Sequence, residues 1–182
     1  MNYFDFNDVA TNNNDAKLIP AGFITKVRLN IKKGNYVNHN KNWYDGYPTR
    51  NPKTGAIFLN CCYTIIGDKY HKYKIWNLIG IYSEKNNNKW GNFGRSFICN
   101  ILNSARKLAP NDLSEEAKRA RKIKDFGDLD NLEFIVRIGI KKDAFDKNIN
   151  GGTKNFIHSI ITKGHKDYQT IISGNSSLSI CI

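Results

Sequence analysis

Residues 34–55, GNYVNHNKNWYDGYPTRNPKTG, have the Gly, Asn, Asp and Pro content of a loop, yet they carry four large rings: Tyr36, Trp43, Tyr44 and Tyr47. Lys41, Arg50 and Lys53 stand among the rings, with Lys32 and Lys33 just before them. Rings offer flat surfaces on which nucleobases stack, at about 1–3 kcal/mol per base, and cations neutralise the phosphates alongside. The competing use is structural, since large loops often fold their own side chains inward. A loop that only anchors itself has no need of the flanking charge.

Two further groups suit the same chemistry. Lys26 and Arg28 alternate with apolar residues upstream of the loop and would extend a phosphate track across a sheet. Lys72, Lys74 and Trp76 fall at every second position of a later run, a basic pair and a ring on one face, although Trp76 could equally serve a core. Arg95 closes the Gly-rich stretch GNFGR, where a helix start would turn free amides toward a phosphate. Gly91 and Gly94 read there as permitting the turn into that helix.

Other chemistries find less support. HExxH, GxSxG and Walker patterns are absent from the sequence, and GNFGR lacks the Lys of a phosphate loop. Asp125, Asp128, Asp130 and Glu133 crowd a turn, but turns use Asp freely, which argues against a nuclease metal site. His39, His71, His158 and His165 are scattered, without the partner that base catalysis requires. Cys61, Cys62, Cys99 and Cys181 form no CxxC pair, and adjacent Cys61 and Cys62 in a strand would face opposite ways. Free thiols in a reducing cytoplasm are the expectation. The residues suggest no catalytic group, no metal and no cofactor.

The elements that must position these groups follow from periodicity. Phe23, Thr25, Val27, Leu29 and Ile31 alternate with Ile24, Lys26, Arg28, Asn30 and Lys32, a strand with one apolar and one largely basic face. Runs at roughly 56–66 and 71–83 flank GDKY, which reads as a hairpin turn; the second run puts Lys72, Lys74, Trp76, Leu78, Gly80 and Tyr82 on one face. Phe93, Phe97, Ile101, Leu102, Ala105 and Leu108 recur at three and four, as on an amphipathic helix closed by Pro110. DLSEEAKRARKI predicts a second, short helix capped by Ser114, with Glu115 and Glu116 at its positive end. NLEFIVRIGIKKD and TKNFIHSIIT are two more strands around the turn DKNINGG.

The expected fold is mainly β with α: a five-stranded OB-fold-like barrel with a helix between strands three and four and an extra short helix, although an α+β sandwich could share this order. Residues 1–17 would be an arm, 18–172 the domain and 173–182 a tail, with no internal repeat and no second core. In an OB barrel the face of strands two and three contacts oligonucleotides, together with the loop between strands one and two and the loop between strands four and five. GNYVNHNKNWYDGYPTRNPKTG would be the first of those loops and KKDAFDKNINGGTKN the second.

A chain of 182 residues suits one domain, and 40% apolar residues exclude a disordered polymer, although Asn12–Asn14 and Asn86–Asn88 read as mobile spots. The net charge of +12 attracts polyanions. No apolar run is long enough to span a membrane, and the N-terminus lacks the basic start and apolar stretch of a signal peptide.

FDFNDV, LIPAGFITKVRLNIKKG, GDKYHKYKIWNLIGIYS, GRSFICNILNSARKLAPND, LDNLEFIVRIGIKKD and KNFIHSIIT follow one another here. In this order they resemble a family of small phage and prophage proteins from replication and recombination modules. The resemblance covers nearly the whole chain to about residue 170. It implies an OB-like single-stranded DNA-binding protein without enzymatic activity, working in the cytoplasm of a host cell, with replication or recombination proteins as partners. Lys72, Lys74, Trp76 and Arg95 are the positions it carries over. The chain departs from many such binders in ending SGNSSLSICI, uncharged, where they carry an acidic recruiting tail. A homodimer docked through that apolar end is the alternative expectation. The rival functions are an RNA-binding protein on the same fold, a metal-dependent nuclease and an interaction protein with incidental basicity.

Overall fold

The computed structural model describes residues 18–142 and 152–172. The expected arm and tail, and most of KKDAFDKNINGGTKN, lie outside the described residues.

Alternation dictates the first strand, β1 (Ile24–Lys32): Thr25, Val27, Leu29 and Ile31 are buried, whereas Lys26, Arg28 and Lys32 are exposed. A short strand, β2 (Thr49–Arg50), pairs with the first residues of β3 (Ile57–Ile66). β3 pairs antiparallel with β1, setting Val27 opposite Ile65, Leu29 opposite Tyr63 and Ile31 opposite Cys61, so that core meets core. β4 (Lys74–Tyr82) takes the other side of β3, with Ile75 opposite Tyr63 and Ile79 opposite Leu59. β5 (Glu133–Lys142) pairs with β1, and β6 (Thr153–Ile161) pairs with β5. The result is a six-stranded, wholly antiparallel open sheet, one strand more than expected, with three α-helices.

Helix α1 (Lys89–Ala105) drives Ile98, Ile101 and Leu102 into the core. Its glycines do not make the entry turn. They lie within the helix, where a Cβ on Gly94 would come 1.7 Å from the Gly80 carbonyl oxygen and one on Gly91 would come 2.6 Å from that of Ile81. The helix therefore sits directly on the backbone of β4. The entry turn belongs to Asn86, Asn87 and Asn88, all left-handed with φ of 52°, 51° and 58°, a conformation that Asn tolerates best after Gly. Asn88 Oδ1 also accepts from the Ser83 amide at 2.9 Å, so this run is an ordered corner.

Pro110 does not end α1. Lys107 turns left-handed at φ 56°, the Leu108 amide donates to the Asn103 carbonyl at 2.8 Å, and the Lys107 amide donates to that of Ser104 at 3.3 Å. This is a Schellman stop, with Lys in the position glycine usually takes. Helix α2 (Glu115–Ala120) starts as its sequence predicts, Ser114 Oγ accepting from the Ala117 amide at 3.2 Å.

A third helix, α3 (Lys166–Ile172), was not foreseen. It covers a small second apolar cluster in which Tyr168 meets Ile135 and Ile161, with Ile24 and Ile171 at its margin. The Tyr168 hydroxyl donates to the Ser104 carbonyl at 3.2 Å, and Ser104 Oγ donates to the Ile161 carbonyl at 2.6 Å while accepting from the Ile135 amide at 3.1 Å. One side chain thus ties the end of α1 to β5 and β6.

The edges β4 and β6 approach each other without forming a ladder. They flank a cleft of about 260 Å³ lined by Leu18, Lys74, Trp76, Thr153 and Asn155. A closed five-stranded barrel would need that ladder, and the sheet stays open there. No described helix is long and apolar enough to cross a membrane.

Because Gly94 meets backbone, which cannot swing aside, Gly94→Ala should destabilise the fold by about 1–3 kcal/mol, the usual cost of overpacking. Urea denaturation should show a lower midpoint at unchanged slope. An unshifted midpoint would mean that α1 does not bear on β4.

Candidate functional site

Residues directly opposite in a ladder share a face, so the register lays out the outer side of the sheet in rows. Glu133, Arg28, Thr64 and Lys74 form one row across β5, β1, β3 and β4. Asn30, Cys62 and Trp76 form the next, and Lys32, Asn60 and Leu78 the third. Trp76 is 60% exposed and Leu78 44%, which puts Trp76 outside the core. Beyond them Gly80 lies beneath the Trp90 ring, which tilts against Phe58 at 6.2 Å, and Tyr82 is exposed. Phe93, 64% exposed, lines a shallow groove there with Leu78, Trp90 and Phe97.

The cations on this face divide into two kinds. Lys26 Nζ lies 2.6 Å from Glu133 Oε2, and Arg28 Nη2 lies 2.6 Å from Glu133 Oε1 with Nε also donating at 3.2 Å. Those hydrogen bonds, first from Lys26 and then from Arg28, hold the Glu133 carboxyl below its ordinary range. Lys32, Lys72 and Lys74 are exposed and make no ion pair among the described residues. Lys72 sits in the turn before β4, left-handed at φ 69°.

The aromatic loop is folded upon itself and onto the 3-10 turn Phe126–Leu129. The Tyr47 ring packs against the core and Gly127, with Lys33 Nζ 5.3 Å from its centroid. Burial and the nearby Asp130 push its hydroxyl above the ordinary tyrosine range. Trp43 meets Phe126 edge-on at 5.5 Å, and Asp45 Oδ2 accepts from the Phe126 amide at 2.6 Å and the Gly127 amide at 3.2 Å. Tyr36 is half-buried, its hydroxyl accepting from Asn38 Nδ2 at 3.1 Å. Tyr44 alone of the four is exposed, at 58%. Lys41, Arg50 and Lys53 are exposed around the same loop, Lys53 in a tight turn held by Asn51. Trp43 and Tyr47 therefore gather at the 3-10 turn and not beside Trp76, and they hold the loop in place.

Arg95 is exposed but stands two turns into α1, away from the free amides at its start. The crowded carboxylates are each engaged separately. Asp125 caps the Gly127 amide, Asp128 accepts from Lys124, Asp130 accepts from the Ile31 amide at 2.7 Å, and Glu133 faces the sheet. No metal-binding group of three such side chains occurs among the described residues. Cys61, Cys62 and Cys99 are free thiols, and burial pushes Cys61 up to about 12.

Exposed Leu78, Tyr82 and Phe93, with half-buried Phe58 and Trp90, extend the apolar strip beyond the residues that the sequence singles out. Period two places Leu78 and Tyr82 with Lys74 and Trp76 on one face of β4, so that part of the strip is readable from the sequence. Trp90 and Phe93 needed the helix–strand contact.

No protein-family model, curated protein or solved structure matches this chain.

Glu133 yields a pH dependence. Its folded-state pKa is depressed, so its contribution to stability is present above its unfolded value, near 4.3, and is lost as pH falls through the folded value. With both cations about half exposed, the contribution should be about 1 kcal/mol or less. Wild type should be slightly more stable than Glu133→Gln at pH 6 and indistinguishable from it near pH 2.5 in parallel urea melts. A gap that persists at the lower pH would show that the carboxylate charge is not its source.

Proposed function

We propose that this chain is a single-stranded DNA-binding protein of the OB type that binds with little regard to sequence and supports phage-type replication or recombination. The observation that carries the reading is the outer face of β3 and β4, where exposed Trp76 and Leu78 follow Lys74 along β4, with Lys32 of β1 across Asn60 from Leu78 and no carboxylate on β3 or β4. Rings there stack on bases, and the Lys residues track phosphates. The order β4–β3–β1–β5–β6, with α1 between β4 and β5, supports the fold assignment, since an OB barrel runs in that order. On this reading the loop's Tyr44, Lys41, Arg50 and Lys53 form an outlying contact, and Trp43 and Tyr47 shape the loop.

Anisotropy of a labelled oligo-dT tests the proposal. Wild type should bind saturably and retain measurable affinity at moderate salt, with the steep salt dependence of counterion release. Trp76→Ala, an exposed position, should keep the melting temperature and weaken binding roughly 5- to 150-fold, the equivalent of about 1–3 kcal/mol for one lost stack. Unchanged affinity would remove the face from consideration. Equal binding of oligo-dT, duplex and heparin would reduce the protein to a generic polycation. Tighter binding of the matching RNA would move the assignment to RNA, because the 2′-hydroxyl is the discriminating group.

A further inference from the structure

Nine Lys or Arg residues lie in the six strands, and Glu133 is the single Asp or Glu. It does not stand at a neutral spot. It opens the row that runs through Arg28 and Thr64 to Lys74, and both its oxygens are taken, one by Lys26 and one by Arg28. A carboxylate held through two oxygens by a guanidinium and an ammonium occupies the place of another oxyanion with two free oxygens, a phosphodiester. As a brace it adds little, for β1 and β5 are already joined by their ladder and exposed ion pairs contribute weakly.

We propose that Arg28, Thr64 and Lys74 form a phosphodiester-binding subsite on the outer face, and that Glu133 is the affinity-setting residue that keeps it closed by holding Arg28 and Lys26. The inference rests on the single-strand reading and deepens it. A strand lying along Trp76 meets Lys74 and Lys32 first. Its phosphate then competes with Glu133 for Arg28, whose guanidinium turns from β5 toward Thr64 as the carboxylate is displaced. The Thr64 hydroxyl, half-buried between the two cations, supplies a neutral donor to the same phosphate. Full engagement of the face thus carries a built-in competitor.

The test compares wild type, Glu133→Gln and Glu133→Gln/Arg28→Ala on labelled oligo-dT over a range of salt. Gln keeps the shape and removes the charge. Glu133→Gln should bind several-fold tighter at low salt, and its plot of log affinity against log salt should steepen by about 0.7 for each phosphate gained, hence by about 0.7–1.4 for Arg28 and Lys26 together. Adding Arg28→Ala should return the slope toward that of wild type. Circular dichroism melts of the same samples confirm that each is folded. Wild type that binds while Glu133→Gln binds equally or more weakly at the same slope would overturn the closed subsite alone, since a mere brace predicts no gain. Binding by neither protein would overturn the single-strand reading and this inference with it. Binding by Glu133→Gln alone would support both.

Discussion

The outer face depends on one register, that between β1 and β3. With Leu29 opposite Tyr63, Arg28 falls opposite Thr64 and Asn30 opposite Cys62. A slip by one residue would carry Val27, Leu29 and Ile31 to solvent and Arg28 and Lys26 into the core, a change no folded chain could survive. The core therefore enforces the position of every cation on the face. β3 passes that order on to β4, so the core pairing on one side of the sheet sets the place of Trp76 on the other.

The formal charge of +12 is a poor guide to where charge is available. Arg121 is consumed by Asn103 Oδ1 and the carbonyls of Ala109 and Asp112, and Arg106 by those of Ala120 and Lys122. These two arginines shape the segment between α1 and β5. Arg137 pairs with Asp167 of α3, and Lys118 and Arg119 pair with Glu115 and Glu116 within α2. Lys33 and Lys69 lie over aromatic rings. What remains around the outer face is a small group, Lys32, Lys72 and Lys74, next to two cations shared with one carboxylate.

Most of the fold was legible because its strands turn one face to the main core, and one-sided burial imposes a period of two. β1, β4 and β5 announce themselves this way, β3 as a β-rich run before a turn, and α1 by its period of three and four. The elements that escaped lack such a signal. β2 has two residues, too few to show any period. Among the described side chains of α3 only Tyr168 is buried, and its partners Ile135 and Ile24 come from the face that alternation labels outer. Glycines 91 and 94 looked like turn residues, because sequence shows the absence of a side chain but not the backbone that requires it. The candidate site was half legible. The pattern on β4 put Lys74, Trp76 and Leu78 on one face, but nothing in the loop told Trp43 and Tyr47, which pack toward the 3-10 turn, from Tyr44, which stays exposed. That distinction rests on Phe126 and Asp45, and the 3-10 turn that Asp45 caps lies some eighty residues further along the chain.

The contact between Gly94 and Gly80 has a kinematic meaning. A helix seated on a strand with no side chain between them cannot slide without unseating the whole of α1 from the core. β4 is therefore held firmly at Gly80, and the Trp76 and Leu78 side chains are mounted on a fixed rail. Whatever lies along that rail finds its surface already ordered and loses little to arranging it. The same stiffness means β4 cannot fold over anything laid upon it. A ligand lying there would be held from one side only, and its release would need no opening of the strand.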